Sequence, residues 1–142
     1  MTQEQKELLL KDLCARLPYG VKLQFNYVIT SPAILKGINK DFIECDIAVC
    51  ELEDIKPYLF PLSSMTEEQA KEMQEIVGSP KDACIMRKTG GLELWLDSVD
   101  TDPTIWLDTI FEVQDWLNKN HFDYRGLIEK GLAIDATNLN IY

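Results

Sequence analysis

The 142-residue chain reads as one α+β domain, and three observations carry that assignment. A capping-box spacing opens a helix-period apolar stripe over residues 2–17. A strict two-residue alternation then runs from Val21 to Ile29. Further on, a tryptophan-bearing, acid-rich segment from about 103 to 120 sorts its apolar and charged residues onto opposite sides at helical spacing. The expected fold is a small antiparallel sheet of three to four strands, packed with an N-terminal helix, a surface helix and a C-terminal helical pair, all in a single domain over 1–142.

The first helix is expected from about Thr2 to Leu17. Thr2 and Gln5 have the spacing at which hydroxyl and amide each satisfy an orphaned backbone N–H. Leu9, Leu10, Leu13, Cys14 and Leu17 fall within about 140° of arc at about 100° per residue and should face the core. Leu8 falls opposite that stripe, as a singly exposed leucine or a contact to another molecule. Pro18 and Gly20 end the helix. Val21, Leu23, Phe25, Tyr27 and Ile29 then alternate with Lys22, Gln24 and Asn26, the period of a half-buried strand. Ala33 to Ile38 and Phe42 to Cys50 supply two more strands of an antiparallel meander. Pro57 and Pro61 are expected to exclude a regular ladder between Glu51 and Pro61.

Thr66 and Gln69 repeat the capping-box spacing, with Glu67 and Glu68 in the first turn, where the helix dipole favours them. The resulting helix reaches about Val77, and its thin stripe of Ala70, Met73, Ile76 and Val77 places it on the surface. Leu92, Leu94 and Leu96 alternate with Glu93, Trp95 and Asp97, which suits a strand with Trp95 on its polar side. Asp102-Pro103 resembles an N-cap followed by proline at the first helical position. On a helix from there to about Asn120, Trp106, Ile110, Val113 and Leu117 share the inner face, and Asp108, Glu112, Asp115 and Lys119 the outer. A start at Thr109 would instead leave Thr104 to Leu107 as an extra strand. Asp123 can cap a short last helix from Tyr124 to Lys130, closed by Gly131, with a loosely held tail from Asp135.

The formal net charge is −10. Between Thr89 and Asn118 lie all three tryptophans and seven acidic residues, without a lysine or arginine. Such a balance argues against direct nucleic-acid binding, which rests on cationic side chains displacing counterions, and against docking on an anionic membrane. No apolar run approaches the roughly 18 residues of a membrane span, and Glu4, Glu7 and Asp12 stand where a secretion signal would be basic and apolar. A cytoplasmic protein is expected.

Cys14, Cys45, Cys50 and Cys84 are scattered and read as reduced thiols. Zinc is not expected: there is no Cys-x-x-Cys pair, and Cys45 and Cys50, an odd number apart on one strand, should point to opposite faces. No cofactor is expected. His121, Asp123, Tyr124 and Arg125 come nearest to acid/base equipment, yet no activated-nucleophile signature accompanies them, and caps and ion pairs account for them. Asp97, Asp100 and Asp102 miss the EF-hand spacing, and Gly90-Gly91 is not a Walker loop.

These observations point to a non-enzymatic protein-interaction or regulatory protein with an unidentified protein partner. Its candidate surface comprises Leu8, Trp95, Asp108, Glu112 and Asp115. Two alternatives stand beside it. Regularly spaced carboxylates on the outer helix face can occupy a basic groove meant for nucleic acid, making the chain an acidic charge mimic. An enzyme would have to use His121, the one histidine.

The opening MTQEQKELLLKDLCARLPYGV, the central IKPYLFPLSSMTEE (residues 55–68) and the closing DWLNKNHFDYRGLIEKGLA (residues 115–133) resemble small uncharacterised proteins of gut anaerobic bacteria and their phages. The resemblance covers about half the chain. It implies a small intracellular protein carried on mobile DNA and transfers no catalytic or binding residue.

Overall fold

The computed structural model describes residues 1–26, 31–77, 83–88, 91–96 and 103–142, with the backbone alone described for 83–88, 91–96 and 103–108. Helix α1 (Gln3–Arg16) starts where the capping box puts it: the Thr2 amide donates to Gln5 Oε1 (2.9 Å), and the Gln5 amide donates to Thr2 Oγ1 (3.2 Å). A 3-10 turn at Leu17–Tyr19 and Gly20 at φ 63° end it, a left-handed backbone that glycine adopts without the Cβ penalty.

The strands are β1 (Lys22–Phe25), β2 (Ala33–Ile38), β3 (Ile43–Cys45), β4 (Val49–Cys50), β5 (Ile55–Pro61), β6 (Ala83–Lys88), β7 (Gly91–Leu96), β8 (Phe122–Asp123) and β9 (Ile134–Asp135). Seven of them form one mixed sheet in the order β4-β3-β2-β1-β5-β8, with β9 also on β5, while β6 and β7 pair as a separate hairpin. The α+β class therefore holds, and the sheet is larger than the three to four antiparallel strands expected. Two features of the stretch from Phe42 to Pro61 account for part of the difference, and two distant strands for the rest.

First, the stretch from Phe42 to Cys50 is not one strand. It turns back on itself between β3 and β4, pairing Ile43 with Cys50 and Glu44 with Val49. Second, β5 lies inside the sheet despite its prolines. The Asn26 amide donates to Asp54 O (2.7 Å), and bonded and non-bonded pairs alternate along an antiparallel ladder. Gln24–Lys56 is then the next bonded pair, and Leu23–Pro57 a non-bonded one. Pro57 sits where β1 needs no N–H from it, so the proline rule is satisfied by register. On its other side β5 pairs in parallel with β8 and β9, contacts between distant segments that no local pattern announces.

The main core packs α1 against the sheet: Leu9 and Leu13 meet Val21, Leu23, Leu35, Ile55, Leu59 and Leu127. Full burial of each such side chain contributes about 2 kcal/mol. The buried face of α1 is Leu9, Asp12, Leu13 and Arg16, whereas Leu10 and Cys14 are exposed. That face is rotated from the expected stripe because Asp12 and Arg16 enter the interior as an ion pair.

Helix α2 (Glu67–Val77) carries its predicted cap, Gln69 N to Thr66 Oγ1 at 3.2 Å and Thr66 N to Gln69 Oε1 at 2.9 Å. Only Met73 is buried among its residues, as the thin stripe implied. Helix α3 (Pro103–Lys119) has the longer of the two expected extents; its Asp102 cap lies outside the described residues. Met65, Met73, Leu117 and Phe122 form a second core between α2, α3 and β8.

The C-terminal helical pair is not formed. Residues 124–130 fold as turns, and the Asp123 carboxylate accepts from the Leu127 and Ile128 amides (2.9 and 2.8 Å). The acidic cap is present, but Gly126 at φ 71° puts left-handed backbone between Asp123 and the turn at 127–131, so no helix forms. Nor is the tail loose: Ala136 N donates to Leu59 O (2.8 Å), and the Tyr142 hydroxyl accepts from Lys22 N (3.0 Å) and donates to Tyr58 O (2.9 Å).

Candidate functional site

Three regions bear on function, beginning with a buried polar cluster around α1 and the segment after α3. Arg16 donates to Asp12 through Nε (2.7 Å) and Nη2 (3.1 Å), and Nη2 also donates to the Phe122 carbonyl (2.7 Å). Arg125 Nε lies 3.3 Å from Asp12 Oδ1, so one buried carboxylate faces two guanidiniums. Both stand against the Tyr124 ring, with Cζ 5.5 and 4.9 Å from its centroid. The Tyr124 hydroxyl donates to Asn118 Oδ1 (2.9 Å) and accepts from Arg125 Nη2 and Gln114 Nε2 (3.2 Å each).

His121 closes this cluster. The residue adopts φ 60°, its ring stacks on Tyr142 at 3.9 Å between centroids, and it is 9% exposed. Burial, with Arg16 and Lys22 nearby, pushes its pKa down to about 4, so the ring is neutral at pH 7. Its Nδ1 has no hydrogen-bond partner among the described residues. A general base is ordinarily oriented by a carboxylate on that second nitrogen. Asp123, its neighbour in sequence, instead spends both oxygens on backbone amides. The four residues that sequence grouped from 121 to 125 thus make their contacts within the fold.

The second region is the outer face of α3. Glu112 and Asp115 are exposed, in keeping with their expected position. Asp108 and Trp95 lie on α3 and β7 respectively, and their side chains are outside those described. The expected inner position of Ile110 is corrected: it is 43% exposed, and Phe111 is 56% exposed. Val113, Trp116 and Leu117 make the inner contacts, because the helix turns its 113–117 side toward Met65, Met73 and Phe122.

Leu8 is also corrected. It is partly buried against the main core, and its neighbour Leu10 is the exposed leucine, at 38%. Leu10 lines the third region, a groove of about 290 Å³ between α1, the β2–β3 turn and the short turn at Leu52–Asp54. Its apolar lining is Leu10, Phe42, Ile43 and Leu52, and Phe42 is 41% exposed. Four carboxylates (Glu7, Asp41, Glu51, Glu53) and two amines (Lys6, Lys40) stand around it. Lys6 and Glu53 form an ion pair across it, whose hydrogen bond holds the Glu53 carboxyl below its usual range. Sequence missed this groove because it joins segments forty residues apart. The one available signal was the run of three leucines, Leu8-Leu9-Leu10, followed by Leu13, more apolar positions than one helix face can bury.

Among the described residues no group of three or more histidine, cysteine or acidic side chains could hold a metal ion, and no helix is long and apolar enough to cross a membrane. The chain matches no family model, no curated protein and no solved structure with which it was compared.

Proposed function

We propose that this chain is a non-enzymatic interaction protein that seats an apolar side chain of a protein partner in the groove between α1 and the β2–β3 turn. The observation that carries this reading is the pair Leu10 and Phe42, both large, both more than a third exposed and both lining one concavity. Exposed apolar groups inside a polar rim mark protein contacts more often than isolated surface leucines do. Four carboxylates against two amines at the rim select a partner whose anchor is flanked by lysine or arginine. The acidic composition and the reduced thiols suit a cytoplasmic setting, and the resemblance to phage-borne proteins suits a regulator that acts by binding.

The test is affinity capture from a native lysate with the wild type and with Leu10→Asp/Phe42→Asp. The reading expects specific partners that the double variant loses at equal folded content. Partners retained at wild-type levels by the folded double variant would reject the groove.

The exposed Glu112 and Asp115 support a second reading, in which α3 presents carboxylates to a nucleic-acid-binding protein. Ile110 and Phe111 beside them would add apolar contact area. Glu112→Lys/Asp115→Lys should then abolish capture that the groove variant leaves intact, so the two surfaces are separable in one experiment.

A further inference from the structure

Cys45 and Cys50 are five positions apart, and on a continuous strand they would face opposite ways. The β3–β4 hairpin changes this. Its ladder pairs Ile43 with Cys50, and Cys45 N donates to Ala48 O (2.8 Å), closing the turn over residues 46 and 47. Cys45 shares a face with Ile43, two residues before it, and Cys50 shares that face by lying opposite Ile43. The two cysteines are therefore diagonal neighbours on adjacent strands. Cys50 is near enough to help raise the Cys45 thiol, and Cys50 Sγ lies 3.7 Å from Ile43 O. Each residue is 7% exposed, and β4 is the outermost strand of the sheet.

We infer that Cys45 and Cys50 are a thiol–disulfide exchange pair, which closes to an intramolecular disulfide on reaction with a small disulfide such as oxidised glutathione. Cys50 loses its proton to solvent, and the thiolate attacks one sulfur of the oxidant. The oxidant's S–S bond breaks, and the first glutathione leaves as a thiolate. Cys45 then loses its proton and attacks the Cys50 sulfur, expelling the second glutathione. Two protein thiols are oxidised by two electrons, one small disulfide is reduced to two thiols, and the two protons end on them.

Cys50 is the attacking residue for two reasons. It stands on the edge strand β4, whose lifting from β3 is what uncovers its core-facing side chain to an oxidant. In addition, burial raises both thiols, Cys45 to about 12, while the neighbouring Cys45 partly offsets the rise at Cys50. Bond closure draws the sulfurs to about 2.0 Å, so β4 must shift toward β3. A two-residue edge strand makes that shift by disturbing few ladder bonds.

The experiment uses the intact protein in glutathione buffers of rising oxidised-to-reduced ratio, quenched with acid, alkylated and digested with trypsin. Residues 41–71 form one tryptic peptide, because the Lys56–Pro57 bond resists trypsin, and it contains Cys45, Cys50 and no other cysteine. The inference expects this peptide to lose two hydrogens and to escape alkylation while the protein remains folded by circular dichroism. Cys45→Ser should stop at a single glutathione on Cys50, and Cys50→Ser should leave Cys45 unmodified. A peptide that stays fully alkylated at every ratio would overturn the pair. So would closure only in urea, or glutathione accumulating on both thiols without an internal bond. None of these readouts depends on a partner in the groove.

Discussion

Asp12 and Arg16 form a two-point ion pair one helical turn apart with both side chains 0% exposed, and Arg16 carries that pair to the Phe122 carbonyl 106 positions away. Removing two charges from water is costly, and only saturated hydrogen bonding offsets it. Here the carboxylate is met by two guanidiniums and Arg16 also anchors β8, though its Nη1 has no hydrogen-bond partner among the described residues, so α1 is tied to the C-terminal segment by charge as well as by leucines.

Asp12→Asn should therefore destabilise the protein by about 3–5 kcal/mol, because it leaves Arg16 buried with its charge uncompensated. Replacing both members with apolar residues, as in Asp12→Leu/Arg16→Met, should cost much less. Urea titrations of the three proteins check the order. A single variant as stable as the wild type would show that the pair contributes nothing.

His121 predicts a pH dependence of defined sign. Its folded pKa of about 4 lies below the ordinary 6.5 of imidazole. Above pH 6.5 neither state holds the proton and the group has no effect. Between 6.5 and about 4 the unfolded chain takes a proton that the folded chain refuses, so stability falls as pH falls. The full difference is about 3 kcal/mol. Other carboxylates titrate in the lower part of this window, so the contribution is isolated by comparison with His121→Asn, whose side chain tolerates the φ of 60°. The stability difference between wild type and variant, measured by denaturant titration at successive pH values, should shift by that amount in the stated window.

Tyr142 predicts that the tail is a structural element. Tyr142→Phe removes a hydroxyl that accepts from Lys22 N and donates to Tyr58 O, while the ring contacts with His121 and Phe60 remain. A loss of about 1–2 kcal/mol is expected, accompanied by faster exchange of the Lys22 amide hydrogen. Unchanged exchange at Lys22 would place the tail elsewhere in solution.

What the sequence revealed and what it hid follow from the range of the interactions. Both capping boxes, the alternation around Leu23 and Phe25 and the thin stripe of α2 are local patterns, and each is found where the pattern put it. The parallel pairing of β5 with Phe122–Asp123 and Ile134–Asp135 depends on chain returns over sixty residues and more, which leave no periodic mark. Pro57 misled because a rule about missing donors was applied without the register that decides whether a donor is needed. Asp12 and Arg16 misled because charge was equated with solvent exposure, although their i, i+4 spacing was visible. The groove depended on the same error, since seating two charged residues inside α1 turned Leu10 outward.

That rotation gives the last prediction. Leu9 and Leu10 are adjacent, equally apolar and equally helix-favouring, and the amphipathic stripe read from sequence buries both. In the folded chain Leu9 is 0% exposed and Leu10 38% exposed. Leu9→Ala should cost about 2–5 kcal/mol, the lost transfer energy plus the cavity left among Leu13, Val21 and their neighbours. Leu10→Ala removes a side chain that already meets water and should cost under about 1 kcal/mol. Chemical denaturation of the two variants separates the alternatives directly. Equal losses would restore the sequence-derived stripe and close the groove; unequal losses in the stated order leave Leu10 available to a partner at little expense in stability.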